Sequence, residues 1–226
     1  MVTTTSDVEL FAFVREHLYV AALSDILDSL DRRGQVMSYR LRPLLPDMKN
    51  CGFVGRARTV RWVDIDHIDY EDPYGLEIEM VDSLRPGDVV VHATDHGRTN
   101  APWGELMSTA AKYRGAVGCI CDSQVRDCVK IIEMGFPVYY TGIQALDSQG
   151  RGRVSSYDEP IRCGDVLVHP GEIVFADFDG IIVIPKDLED KVFELARDRV
   201  GKESETRAAL LRGDSLRQVY ERYRVL

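Results

Sequence analysis

Three side chains able to do chemistry lie close together in the chain: Glu105 in "WGEL", and the adjacent Arg126 and Asp127 in "DSQVRDCV". Two carboxylates and a guanidinium suit a hard divalent ion together with an anionic oxygen substrate. Mg²⁺ takes oxygen ligands, is often held by one or two carboxylates, and keeps several waters. A 2-oxo acid can chelate such an ion through its carboxylate and keto oxygens. The ion then acts as a Lewis acid on the keto group as an enolate forms. A neighbouring arginine adds charge-assisted hydrogen bonds to carboxylate or enolate oxygen. Singly, each residue has an ordinary reading: Asp127 as a helix-end acid, Arg126 as a surface cation, Glu105 as a solvated first-turn residue. Spacing alone leaves the two accounts balanced.

The surrounding elements decide whether these residues meet. "VVVHATD" (89–95) is a β-rich run, and "GELMSTAAKYRG" has helical character ending at Gly115. "AVGCICDSQ" reads as an apolar strand, "RDCVKIIEMG" as a short helix ending at Gly135, and "PVYYTG" as a third strand. This alternation predicts parallel βαβ units. If 89–93 and 116–121 are parallel neighbours, the loops leaving their carboxyl ends share one edge of the sheet. Open α/β sheets bind ligands there. Both loops run into helix N-termini, whose free N–H groups and dipole favour an anion. Gly104 lets that backbone approach a ligand closely.

The flanking regions frame this centre. "DVELFAFVREHLYVAALSDILDSLDRRG" predicts two helices broken near residues 19–22, with Ser24 or Asp25 capping the second and Gly34 as a stop. "CGFVGRARTVRWVDID" reads as a strand, and "YGLEIEMVDSL" as a short helix closed by the turn "RPGD". Beyond Tyr140 the short runs of "VSSYDEPIRCGDVLVHPGEIVFADFDGIIVIP" predict antiparallel β structure. A β-turn is the better reading of Asp177 and Asp179 in "ADFDG" than a pair of ligands. From Asp187 to Leu226 the chain is charged and helical, divided at Gly213. With no Gly/Ser/Pro linker, the expectation is one α/β domain over 1–226, with a helical lead (7–34), a core (50–186) and C-terminal helices (187–226). His92 and His96 lie in or just after the strand leading to the site, where packing or surface placement outweighs a pocket role. Trp103 is expected to pack beneath the loop.

Composition narrows the partners. The 226 residues carry a net charge of −9, with a pI near 5.1, which disfavours nucleic acid because no excess cation is present to displace phosphate counterions. No apolar stretch approaches the roughly 20 residues that span a bilayer, and the N-terminus does not read as a signal peptide. The five cysteines form no CxxC pair, and Cys119 and Cys121 alternate within an apolar run as core residues. A cytoplasmic protein with neither membrane nor nucleic-acid partner is the expectation.

The stretch "WGELMSTAAKYRGAVGCICDSQVRD" resembles the signature of the RraA-like proteins, which include the class II 4-hydroxy-4-methyl-2-oxoglutarate / 4-carboxy-4-hydroxy-2-oxoadipate aldolases. That signature is an acid, twenty intervening positions, then Arg-Asp, and here twenty residues separate Glu105 from Arg126. "LSDILD", "GRARTV", "ADFDGIIVIP" and the tail "GDSLRQVYERYRVL" extend the resemblance over nearly the whole chain. It implies a swivelling β/β/α fold, assembled as a homotrimer or homohexamer with the site near a subunit interface. It implies Asp127 as the direct ligand of Mg²⁺ or Mn²⁺, Arg126 as the contact that stabilises the enolate, and Glu105 as the holder of a water on the metal. The backbone of Gly104, Glu105, Leu106 and Met107 would receive the pyruvoyl carboxylate of a 2-oxo acid. An acid from a neighbouring subunit's C-terminal helix, matched here by Glu203 or Glu205, would complete the site. The implied activity is cleavage of a 4-hydroxy-2-oxo acid to pyruvate and a second carbonyl compound, with oxaloacetate decarboxylation alongside. The family also contains a regulator that binds and inhibits a ribonuclease, which is the alternative. Glu105 stands where the aldolases often have Asp, and Ser123 replaces a common glycine.

Overall fold

Apolar runs rich in β-branched residues build the centre of the sheet, and the amphipathic runs between them cover it. The computed structural model describes residues 5–47, 50–94 and 100–224. The chain opens with α1 (Thr5–His17) and α2 (Val20–Ser29), followed by β1 (Arg42–Pro43), β2 (Phe53–Asp64) and α3 (Leu76–Asp82). The central part contains β3 (Asp88–Ala93), α4 (Glu105–Tyr113), β4 (Gly118–Cys121), β5 (Gln124–Val125), α5 (Cys128–Met134), β6 (Val138–Tyr140) and β7 (Gly142–Ile143). Five more strands follow: β8 (Gly152–Tyr157), β9 (Ile161–Cys163), β10 (Val166–Val168), β11 (Ile173–Asp177) and β12 (Gly180–Ile184). Two helices, α6 (Glu189–Leu211) and α7 (Leu216–Tyr223), close the chain.

The main sheet runs β1-β6-β4-β3-β2-β11-β12, with β8 also on β2. The contacts β2–β3, β3–β4 and β4–β6 are parallel, as the alternating pattern predicts. β11 and β12 form an antiparallel hairpin, and β9 pairs with β10 in another, matching the expected change of texture after Tyr140. One edge of β2 carries both β11, near Phe53–Arg56, and β8, near Val60–Asp64. All six residues of β3 are buried, because both faces of the sheet are covered. Val89 and Val91 pack on one side with Phe53, Ile120 and Tyr139; Val90 packs on the other with Trp62, Met80, Trp103 and Ile131. A third cluster seats α1, α2 and α6 on Val54, Ile173, Phe175 and Ile182. This is an α/β fold with a parallel centre, antiparallel strands and helical ends. Among the described residues no helix is long and apolar enough to cross a membrane.

The expected cap of α2 is corrected. Ser24 and Asp25 lie inside the helix, whose N-cap position is Tyr19. The N–H of Val20 donates instead to Asp177 Oδ2 at 2.8 Å, and the N–H of Asp179 donates to Asp177 Oδ1 at 2.9 Å. The "ADFDG" aspartate therefore ties its own turn and satisfies a helix end far away in sequence. Asp25 pairs with Arg199 of α6 at 2.5 Å. α2 stops at Ser29, short of Gly34, which takes a positive φ in the connection that follows.

Candidate active site

Val89–His92 of β3 face Gly118–Cys121 of β4 in parallel register, so the loops that leave these strands emerge at one edge. Residues 95–99, His96 among them, follow β3 in the chain and lie outside the described residues. Two backbone links join the return of the first loop to the second. Trp103 forms a parallel bridge with Val125, and the Arg126 N–H donates to the Trp103 carbonyl at 3.0 Å. A third link uses a side chain: the Glu105 N–H at the start of α4 donates to Asp127 Oδ2 at 3.2 Å. The carboxylate thereby sits at the electropositive end of that helix. Trp103 is wholly buried beneath this junction, as expected.

Local geometry explains the residue types. Asp127 adopts a left-handed backbone, with φ of 57°, a conformation in which Asp and Asn are enriched among non-glycine residues. Gly104 is extended, so its value lies in the missing side chain. A Cβ there would stand 2.8 Å from Asp127 Oδ2 and 3.1 Å from Arg126 Cγ. Without it, the start of α4 closes onto both residues.

A cleft of about 220 Å³ opens at this junction, lined by Gly104, Leu106, Met107, Arg126 and Asp127 of the expected set. Tyr74, Glu77 and Asp147 line it too, and none of these was singled out from the sequence. Arg126 is about a third exposed; its Nη2 lies 3.1 Å from Asp147 Oδ1, and its Nε is 3.8 Å from Asp127 Oδ2. Asp147 also accepts the Tyr74 hydroxyl at 2.9 Å and the N–H of Ser148 at 2.8 Å. Burial, and then this bond to Asp147, raise the Tyr74 pKa. Glu77 is only 3% exposed. Burial first, and the charge of Asp147 second, push its pKa up to about 8, against the opposing pull of Arg126. One signal for it was present in the sequence. Met80 and Val81, three and four residues later on α3, are buried, so Glu77 is a carboxylic acid on an apolar stripe.

Other expected residues lie apart from the cleft. The Glu105 carboxylate accepts the Thr109 hydroxyl at 2.9 Å along α4. Glu203 accepts from the Tyr19 hydroxyl at 2.8 Å and from Arg199 Nε at 2.7 Å, Glu205 is exposed on α6, and neither lines the cleft of its own chain. His92 is fully buried, with its ring between Trp62 and Trp103, and its Nδ1 accepts the Trp62 indole N–H at 2.7 Å. Burial lowers its pKa to about 3, so it is a neutral packing residue.

Among the described residues no three His, Cys, Asp or Glu side chains group into a metal cage. A Mg²⁺-type site needs none, since one carboxylate and several waters suffice. Asp127 presents an exposed carboxylate against Gly104, and the Glu105 carboxylate, outside the cleft lining, stands on the first turn of α4, where the Glu105 N–H donates to Asp127. This all-oxygen donor set fits a hard divalent ion.

Known proteins share both sequence and fold with this chain. It is 29% identical over 177 residues to a Halalkalibacterium halodurans protein named "Putative 4-hydroxy-4-methyl-2-oxoglutarate aldolase", spanning 78% of this chain and 77% of that one. A structure described among "novel cellulases from microbes associated with the gut ecosystem" superposes with a TM-score of 0.82 at 27% identity, covering 88% of this chain and 87% of that one. Streptomyces coelicolor RraAS2, described as "an unusual member of the RNase ES inhibitor RraA protein family", gives a TM-score of 0.76 at 26% identity, covering 88% and 96%. The sequence pattern of the RraA-like family, described as Aldolase/RraA, matches residues 20–183, and the chain belongs to that family.

Proposed function

We propose that the chain is a divalent-metal-dependent carbon–carbon lyase. It cleaves a 4-hydroxy-2-oxo acid of the 4-hydroxy-4-methyl-2-oxoglutarate type to pyruvate and a second carbonyl compound, and decarboxylates oxaloacetate as a side reaction. The observation that carries this reading is the convergence of Arg126, Asp127 and the N-terminus of α4 on one cleft, with guanidinium capacity still unused. The family match and the similarity to the Halalkalibacterium protein support it.

Asp127 would hold Mg²⁺ or Mn²⁺, with Glu105 steadying a water beside it. Bound there, the ion supplies Lewis-acid stabilisation of developing negative charge. The chain's own groups do the rest. Of the backbone N–H groups from Gly104 to Met107, that of Glu105 is held by Asp127, and the others receive the pyruvoyl carboxylate at a helix start. Arg126 faces the enolate oxygen and strengthens its hold as charge develops. Both reactions leave the same pyruvate enolate, so one site serves both. The small cleft suits a short diacid better than a polysaccharide chain. The assembly is a homotrimer or homohexamer in which Glu203 or Glu205 of a neighbouring copy approaches the cleft. That both stand outside the cleft of their own chain is consistent with this arrangement.

Release of pyruvate from 4-hydroxy-4-methyl-2-oxoglutarate and from oxaloacetate tests this, with Mg²⁺ or Mn²⁺ and then with EDTA. Activity that vanishes on chelation and returns with metal is expected; no turnover of either substrate contradicts the reading. Similarity to RraAS2 favours a second reading, a non-catalytic regulator that binds a ribonuclease. Inhibition of an endoribonuclease by a preparation inactive on both substrates would select it.

A further inference from the structure

We propose that Glu77 is the proton-transferring group of the cleft, taking the C4 hydroxyl proton of the substrate and returning it to C3 of the pyruvate enolate. This rests on the lyase reading above.

Three carboxyl groups line the cleft, and two are already engaged. Asp147 holds Arg126, the Tyr74 hydroxyl and the Ser148 N–H, and Asp127 accepts the Glu105 N–H. Glu77 has no hydrogen-bond partner for its carboxyl among the described residues, although it is almost wholly buried. Such a group costs stability, and an apolar residue at this position of α3 would fill the stripe without that cost. Its opening onto the cleft gives it a use. Its raised pKa, about 8, leaves it mainly neutral at pH 7 yet close enough to titration to act in both directions. The charged groups acting on it are Asp147 and Arg126, beside the Tyr74 hydroxyl; α4 and β8, the elements packed on α3, present no charge that shifts it.

The step balances without an external reagent. Glu77 in its carboxylate form accepts the C4 hydroxyl proton as the C3–C4 bond breaks. The bonding pair passes into the enolate, and C4 becomes a carbonyl. The neutral Glu77 then gives the same proton to C3, forming the methyl group of pyruvate and restoring its carboxylate. Oxaloacetate needs only the second half, because carbon dioxide leaves without a hydroxyl proton to remove.

Exchange of pyruvate methyl protons in D₂O, followed by NMR with Mn²⁺ or Mg²⁺ present, isolates the C3 transfer. Glu77→Gln should slow exchange by about 10²-fold or more while pyruvate KM stays within about threefold, and Glu77→Asp should recover part of the rate. Wild-type exchange should rise with pH as Glu77 loses its proton, at a pH that the bound cation draws below that of the metal-free protein, and the Gln variant should lack that rise. A ¹³C-carboxyl titration of the metal-free protein, showing a Glu near 8 that Glu77→Asp moves, gives a readout independent of turnover. Wild-type exchange in Glu77→Gln overturns the proposal. Should that variant fail to fold, a wild-type exchange rate flat between pH 4.5 and 9 overturns it equally. Wild-type protein that neither releases pyruvate nor exchanges its methyl protons removes the lyase reading itself. Metal-dependent release with exchange unaffected by Glu77 removes this inference alone.

Discussion

Arg58 binds Asp88 at the start of β3 and Arg126 lies beyond the end of β4, each beside aspartates, and they differ most in how fully their donors are used. Arg58, on β2 near the start of β3, is about 10% exposed and its donors are fully used. It donates to both oxygens of Asp158 at 2.8 and 3.0 Å, to Asp88 at 3.2 Å, and to the carbonyl and hydroxyl of Ser83 at 3.2 and 2.9 Å. Arg126 is about a third exposed, with one partner at 3.1 Å and another at 3.8 Å. The cleft beside Arg58 is the roomier, about 410 Å³ against 220 Å³. On the proposed lyase reading, volume is not what marks the site. Among the described residues, unused donors and an unpartnered carboxyl mark it instead, because a satisfied arginine can bind a ligand only by breaking bonds it already has.

The largest expected effect is at Asp127. Asp127→Asn keeps a residue that tolerates the left-handed backbone, where alanine would add strain. Metal-dependent pyruvate release should fall by more than the roughly 10²-fold lost when an outer partner of a metal is removed. A Tm near the wild-type value would place the loss in the site; wild-type turnover at limiting Mg²⁺ would remove Asp127 as the ligand.

Gly104→Ala comes next. Its Cβ would press on Asp127 Oδ2 and Arg126 Cγ, so turnover should drop about tenfold or more with little change in helix content by circular dichroism. Full activity would show that the close approach of α4 is not needed.

Glu77 sharpens the comparison through stability. An acid whose folded pKa is raised contributes fully below its unfolded value near 4.5, and that contribution is lost as pH rises through about 8. Wild-type protein should therefore lose about 3 to 5 kcal/mol of stability from this group across that window. Glu77→Gln should be spared the loss, so its Tm should gain on wild type from pH 5 to pH 8.5. Parallel Tm profiles would refute the buried neutral acid.

Arg58→Lys should lower stability by about 3 kcal/mol, since lysine cannot match the forked contact with Asp158 and leaves a buried carboxylate poorly paired. Denaturant unfolding reads this directly. Unchanged stability would mean that the Arg58 cluster is not the structural counterpart it resembles.

The sequence disclosed the convergence of the two loops more fully than the cleft they form. Apolar runs separated by short helices fixed the parallel order of β3 and β4, and with it the meeting of Glu105, Arg126 and Asp127. Asp147, Tyr74 and Glu77 come from two other connections, and nothing local says that these reach the same edge. The cap of α2 was hidden for the same reason: its acceptor, Asp177, lies 157 residues away, while Ser24 and Asp25 match the local pattern. His92 shows the converse, a residue suited to catalysis whose strand lies in the middle of the sheet and carries it into the core.

The most direct test of the account measures pyruvate release per folded molecule for Arg126→Lys and Arg58→Lys together, under saturating Mg²⁺. Lysine retains charge but not the planar fork that meets two oxygens at once. Arg126→Lys should unfold like wild type and lose about 10²-fold in kcat, while Arg58→Lys should be less stable and turn over at nearly the wild-type rate. Near-normal kcat in Arg126→Lys, or equal losses in both variants, would contradict the assignment of Arg126 to the reacting substrate.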